Sequence, residues 1–252
     1  MKLIYNGQLV EQGDSNCSST GWLDGQGIFE TIRTVDGKPW AMSRHMRRAI
    51  NSARKMNLRL PGEELIRDCV AQLLGTEVHE TGMLRISFDD SGNWAAVHFD
   101  YQAIKEPAKI WTHPQTIPIT GIQSKTFPYN HRIEILQQAR VAGFDEAVVV
   151  NKEGNITEGA VSNLLVKISS QWFTPPLSDG VLPGVMRALI IENYDVIVRS
   201  IAATEIDAIE SGFLLSSLRI AQPISSINNR ELSQSQEFRT EIEAMALRTS
   251  VG

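Results

Sequence analysis

Cysteine is almost absent from this chain: two of its 252 residues, Cys17 and Cys69, lie far apart and outside any Cys-x-x-Cys spacing. That scarcity excludes a disulfide scaffold and argues against a cysteine metal site or redox pair, so no metal is expected. Positive charge is also in short supply, with 24 Lys and Arg against 29 Asp and Glu, a formal net charge of -5. Nucleic acid and anionic membranes are therefore poor partners, and an anionic ligand must be held by a few placed groups. No segment approaches the roughly 20 apolar residues a membrane helix needs. Nor does an apolar stretch of signal-peptide length follow Met1-Lys2-Leu3. These absences predict a soluble, unexported protein in a reducing cytoplasm.

What remains is ordinary globular sequence, 42% hydrophobic and 21% charged, long enough for one large domain or two modest ones. Residues 28–35 alternate and meet Asp36-Gly37, a hairpin turn leading into Pro39-Trp40-Ala41-Met42. Met46, Ile50, Ala53 and Met56 recur at helical spacing, predicting a helix capped by Ser43 and running to about Asn57. A second helix is predicted from about Gly62 to Leu74, with Leu65, Ile66, Val70 and Leu73 inward, and strands at 83–88 and 94–101. Pro107, Pro114 and Pro118 punctuate the stretch that follows, which places a boundary between two mixed α/β lobes, 1–112 and 113–252. The second lobe reads as a helix over 131–142 ended by Gly143, and a hairpin from Glu146 to Thr157. After these come a strand over 162–168, a helix opened by Gly184, and a last helix carrying Phe238, Ile242 and Met245. The class expected is α+β.

Several residues could carry chemistry, and each also has a plain reading. Lys125 is an amine suited to a Schiff base, although a lone lysine is most often a solvated charge. Glu158, between a strand and Gly159, could solvate a turn or could hold a pyridine nitrogen protonated so that the ring becomes an electron sink. Leu182-Pro183-Gly184 could be a simple loop, or could open a helix whose first amides, on Val185 and Met186, cradle a phosphate. Ser217 ends an apolar run, where a hydroxyl can satisfy the backbone or reach a phosphate. The helical wheel puts Arg48 with Arg44 and Lys55 opposite Met46 and Ile50, on a solvated face.

Taken in order, Asp24 to Arg33, His45-Met46-Arg47-Arg48, Lys125, Asp145-Glu146-Ala147, Glu158 to Asn163, Thr174 to Leu177, and Leu182 to Arg187 resemble the class IV aminotransferase family. The resemblance implies two lobes of the fold-type IV, D-amino-acid aminotransferase-like architecture, with the lysine in the C-terminal lobe, pyridoxal 5′-phosphate (PLP) as cofactor, and a homodimer. It implies that Lys125 carries the Schiff base, that Glu158 pairs with the pyridine nitrogen, and that Arg48, Val185, Met186 and Ser217 hold the phosphate, with Tyr129 toward the ring hydroxyl. Within the family, Gly184-Val185-Met186-Arg187 and the Ser217-Leu218-Arg219 element look most like the aminodeoxychorismate lyases of folate biosynthesis. Transaminases of D-amino acids or of branched-chain amino acids are the alternatives, and a non-catalytic PLP-binding paralogue comes after them. A two-carboxylate lyase substrate calls for at least one guanidinium, from Arg33, Arg85, Arg132 or Arg219.

Overall fold

A computed structural model of the chain describes residues 1–249. In chain order its first elements are β1 (Lys2–Tyr5), β2 (Gln8–Glu11), β3 (Gly27–Val35), β4 (Lys38–Pro39), α1 (Met42–Met56), α2 (Glu63–Leu74), β5 (Thr81–Asp89) and β6 (Trp94–Asp100). Then follow β7 (Ala108–Thr112), β8 (Thr126–Phe127), α3 (Asn130–Val141), β9 (Glu146–Val150), β10 (Asn155–Gly159), β11 (Asn163–Ile168) and β12 (Gln171–Thr174). The last are α4 (Val185–Asn193), β13 (Val196–Val198), β14 (Ile201–Ala202), β15 (Ile209–Ser216), β16 (Ile220–Ile227), β17 (Arg230–Glu231) and α5 (Gln236–Arg248).

Two compact units result, one of Met1–Ala103 with Ser124–Pro128 and Thr249, the other of Ile104–Gln123 with Tyr129–Arg248. The division differs from the expected 112/113 boundary in two ways, and backbone hydrogen bonding is the reason for both. β7 pairs in parallel with β16 and β9, so it belongs to the second unit. β8 returns to pair with β3, Gly27 opposite Phe127 and Ile28 opposite Thr126, which carries Lys125 into the first unit instead of the second.

The first unit is a seven-stranded sheet in the order β2-β1-β6-β5-β3-β4, with β8 beside β3. Ile28 and Ile32 of β3, Leu84 and Ile86 of β5, Met42 and Met46 of α1, and Ile66 and Val70 of α2 form one buried cluster. Amphipathic helices and alternating strands of these lengths have no other way to remove their apolar faces from water. α1 begins one residue before the expected Ser43 cap, because Ala41 at φ 51 turns the chain out of the hairpin. In α2 the inward face is Ile66, Cys69, Val70, Leu73 and Leu74, whereas Leu65, expected inside, is 48% exposed.

The second unit is a ten-stranded sheet in the order β13-β12-β11-β15-β16-β7-β9-β10-β14, with β17 beside β16. Val148 and Val150 of β9, Leu164 and Val166 of β11, Leu214 of β15 and Ile224 of β16 bury one face. Ile135, Leu136 and Ala139 of α3 pack with Ala147 and Val149 on another. Ile133, expected among those apolar contacts, is 37% exposed.

Candidate active site

In the first unit the chemistry gathers around β3. Its even-numbered residues Ile28, Glu30, Ile32 and Thr34 are all buried, so Glu30 sits on an apolar face with almost no solvent. A carboxylate cannot stay ionised there alone. His45 Nδ1 lies 2.7 Å from its Oε2, while Arg48 forks onto it, Nε to Oε1 at 2.9 Å and Nη2 to Oε2. Burial pushes Glu30 up, but the Arg48 charge and the hydrogen bonds from Arg48 and His45 overcome that and hold it down at about 2. His45 is displaced below its ordinary range, chiefly by burial, with Glu30 opposing and Arg48 and Lys125 adding to the effect. His45 is therefore a neutral donor to an ionised Glu30.

This placement overturns the wheel reading of Arg48. The side chain is only 10% exposed, because its long stem folds back over α1 to reach β3. Lys125 is positioned by the same strand: its carbonyl accepts from Phe29 N–H at 2.9 Å, and its Nζ lies 4.5 Å from the Phe29 ring centroid. Gly27 makes the close approach of β8 possible, since a Cβ there would sit 2.0 Å from the Phe88 carbonyl and 2.6 Å from the Phe127 ring.

The second unit holds Glu158 at the end of β10, 5% exposed. Arg132 Nη2 of α3 donates to its Oε1 at 2.7 Å. Asn163 Nδ2 at 2.9 Å and the Leu182 amide at 3.0 Å donate to its Oε2. Asn163 Nδ2 also reaches the Leu182 carbonyl at 3.0 Å, tying Glu158 to the segment that opens α4. At that opening a Cβ on Gly184 would lie 1.7 Å from Asn163 Oδ1, so only glycine fits. Gly184 is the cap residue of α4 and brings no side-chain hydrogen bond to it, so the first turn, with Val185 and Met186 both buried, presents only its amides and the positive end of its dipole.

Beside Gly159 lies a second buried carboxylate, Glu146, fully removed from solvent. Arg219 Nη2 is 2.8 Å from its Oε2, and Ser162 Oγ is 3.5 Å from the same oxygen. Burial nevertheless dominates and raises Glu146 above its ordinary value, against the Arg219 charge and the amides of Val161, Ala147 and Ala160. Arg219 sits at the tip of the β15–β16 hairpin, where Ser216 pairs with Ile220, and its amide donates to Ser216 Oγ at 3.1 Å. Ile220 follows at φ 58, a left-handed conformation that a β-branched residue adopts only at a cost of about 1–3 kcal/mol. Ser217 is buried in this strained tip.

Other expected residues fall elsewhere within their units. Tyr129 caps α3, and its hydroxyl donates to the Ala160 carbonyl at 3.4 Å. Arg85 lies 4.2 Å over the Trp22 ring with Nη1 on the Thr20 carbonyl at 2.6 Å, and burial lowers it to about 10. Arg33 is half-buried on β3. Arg132, considered for substrate, instead faces Glu158. Roles for Glu30, His45, Asn163 and Glu146 went unread in the sequence. The signal for Glu30 was its parity with Ile28 and Ile32; for Glu146 it was a charge opening the apolar run Ala147-Val148-Val149-Val150.

Within the second unit, a buried and multiply held carboxylate and a glycine-opened helix start suit a ligand with a basic ring nitrogen and an anionic group. Buried guanidinium nitrogens without partners, Nη1 of Arg132 and of Arg219, add unspent donors in the second unit. A putative branched-chain-amino-acid aminotransferase of Methanocaldococcus jannaschii is 24% identical over 94% of this chain and 91% of its own length. Aminodeoxychorismate lyase of Bacillus subtilis is 25% identical over 76% of this chain and 73% of its own. The fold matches a PLP-bound hypothetical aminotransferase from Mycobacterium tuberculosis with a TM-score of 0.86, 18% identity and 99% coverage of both chains. The fold is therefore α+β of fold-type IV. The profile of amino-transferase class IV, a family of PLP-dependent enzymes, matches residues 27–227, more than three quarters of the sequence, and the chain belongs to that family.

Proposed function

We propose that this enzyme is a 4-amino-4-deoxychorismate lyase, converting its substrate to 4-aminobenzoate and pyruvate. The observation that carries the reading is the Ser217-Leu218-Arg219 hairpin tip, where Arg219 is locked by Glu146 and keeps a buried, unpartnered Nη1. A substrate with two carboxylates matches such a placed guanidinium. Arg85 likewise keeps a buried Nε without a hydrogen bond, but its face is covered by Trp22 and its Nη1 is spent on the Thr20 carbonyl, so Arg219 is the substrate arginine of this reading.

PLP, when bound, supplies an aldehyde to the substrate amine and a ring that withdraws electrons from the adjacent carbon. Lys125 Nζ would hold the cofactor and, once freed by the substrate amine, would take the proton from the carbon bearing that amine. Glu158 keeps a proton at the ring nitrogen. The Val185 and Met186 amides, Arg48 and Ser217 are the groups that would hold its phosphate. In the lyase the C–O bond to the enolpyruvyl group would then break, the released enolpyruvate taking up a proton to become pyruvate as the ring becomes aromatic, and Lys125 Nζ would displace the 4-aminobenzoate amine. The active enzyme is proposed to be a cytoplasmic homodimer, for which sedimentation should show dimer at micromolar concentration.

The transaminase reading is favoured by one observation, the longer coverage of the chain by the Methanocaldococcus relative. The assays separate the two. Aminodeoxychorismate should yield stoichiometric pyruvate. Conversion of the yellow enzyme to its colourless amine form by D-alanine or a branched-chain amino acid, with no pyruvate from aminodeoxychorismate, would sink the lyase assignment. Lys125→Ala should lose the visible absorbance and more than about a hundredfold in rate in either case. A variant that stays yellow and active would remove Lys125 from its role.

A further inference from the structure

We propose that Arg132 is a positioning residue that acts through Glu158: it holds that carboxylate ionised and oriented, and its charge sets the proton affinity of the ring nitrogen Glu158 faces. The inference rests on the reading that Glu158 pairs with the PLP ring nitrogen.

The observations come from four segments around one buried carboxylate. Arg132 of α3 takes Oε1, while Asn163 of β11 and the Leu182 amide take Oε2. Arg187, 5% exposed in the first turn of α4, adds its charge while its own nitrogens bond Thr174 Oγ1 and the Pro175 carbonyl. Of these groups only Arg132 combines a full charge with direct contact. A buried carboxylate lacking such a partner takes up a proton and becomes a poor acceptor for a ring N–H⁺. With the guanidinium in place Glu158 stays an anion and the ring nitrogen keeps its proton. Arg132 thus supports the charge that Glu158 stabilises.

A structural brace between α3 and β10 would also explain a 2.7 Å contact. It would not explain why Arg132 keeps Nη1 buried without a partner, a cost that neither Lys nor Met at this position would carry. The charge and the contact can be separated experimentally. R132M keeps bulk and loses charge; R132K keeps charge and loses the guanidinium geometry.

The test uses PLP-loaded protein and follows the visible absorbance against pH, with PLP affinity by equilibrium dialysis and steady-state kinetics alongside. R132M should move the absorbance midpoint up by about one pH unit, because a ring that has lost its proton beside a neutralised Glu158 withdraws less charge from the Lys125 nitrogen joined to it. Its kcat should fall about tenfold with KM changed less than twofold, whereas R132K should keep the wild-type midpoint to within a few tenths of a unit. An unchanged midpoint in R132M with weaker PLP binding would mean a brace only, as would equal shifts in R132M and R132K. If R132M does not fold, R132Q makes the same comparison. Failure of the underlying reading looks different: E158Q would then leave the wild-type midpoint unmoved.

Discussion

Two buried carboxylates, Glu30 in the first unit and Glu146 in the second, each sit beside one arginine, yet they are displaced in opposite directions. Glu30 goes down to about 2 and Glu146 goes up. Solvent exposure is not the difference, because they are 1% and 0% exposed. The number and quality of donors is. Glu30 receives two guanidinium nitrogens in a fork and an imidazole N–H, so its charge is matched at both oxygens. Glu146 has one guanidinium nitrogen and a long contact to the Ser162 hydroxyl on Oε2, with neutral amides of Val161, Ala147 and Ala160 in place of a second charged donor, while the Oε1 side lacks a side-chain partner. An ion pair observed in a core therefore says little about its sign for stability until the remaining lone pairs are counted.

Four substitutions test that contrast, read as unfolding free energy of the cofactor-free protein in urea. Arg48→Ala should cost the most, about 3–5 kcal/mol, because it strands Glu30 in the core with only His45. Glu30→Gln at neutral pH should cost about 3 kcal/mol, the free energy of a displacement from 4.5 to about 2. The wild-type contribution of Glu30 is complete above pH 4.5 and is lost as pH falls toward about 2, so Glu30→Gln should flatten acid unfolding in that window. Glu146 has the opposite sign. Its contribution is complete below 4.5 and is lost as pH rises through its raised folded value. Glu146→Gln should therefore be neutral or stabilising by up to about 1 kcal/mol, and a loss as large as that of Glu30→Gln would refute the donor-count argument. Least affected should be Glu63→Gln, which breaks the exposed pair with Arg67 on α2 and should cost about 0.3–0.5 kcal/mol.

Much of the fold was legible because the elements obey local rules. The alternation of β3, the apolar spacing of α1 and the Asp36-Gly37 and Gly143 signals all appear where expected. Local rules failed where a side chain answers to a distant partner. Arg48 reads as solvated on a wheel, since a wheel knows nothing of Glu30 across the gap between helix and strand. Leu65 and Ile133 failed for the converse reason: each is apolar at a position that no neighbouring element covers. Proline punctuation near 107–118 located a real change in the chain but could not show that β7 and β8 pair with different sheets.

The residue types that chemistry requires, the lysine, the carboxylate, the glycine before α4 and the family they belong to, were determined by the sequence alone, because each is a matter of composition and order. Which of them are charged, and against what, was decided by tertiary structure. Arg132 on Glu158, Arg219 on Glu146 and Arg48 on Glu30 are separated by 26, 73 and 18 residues. A pKa is set by distances of a few ångströms and by the water that burial removes, and neither is written along the chain.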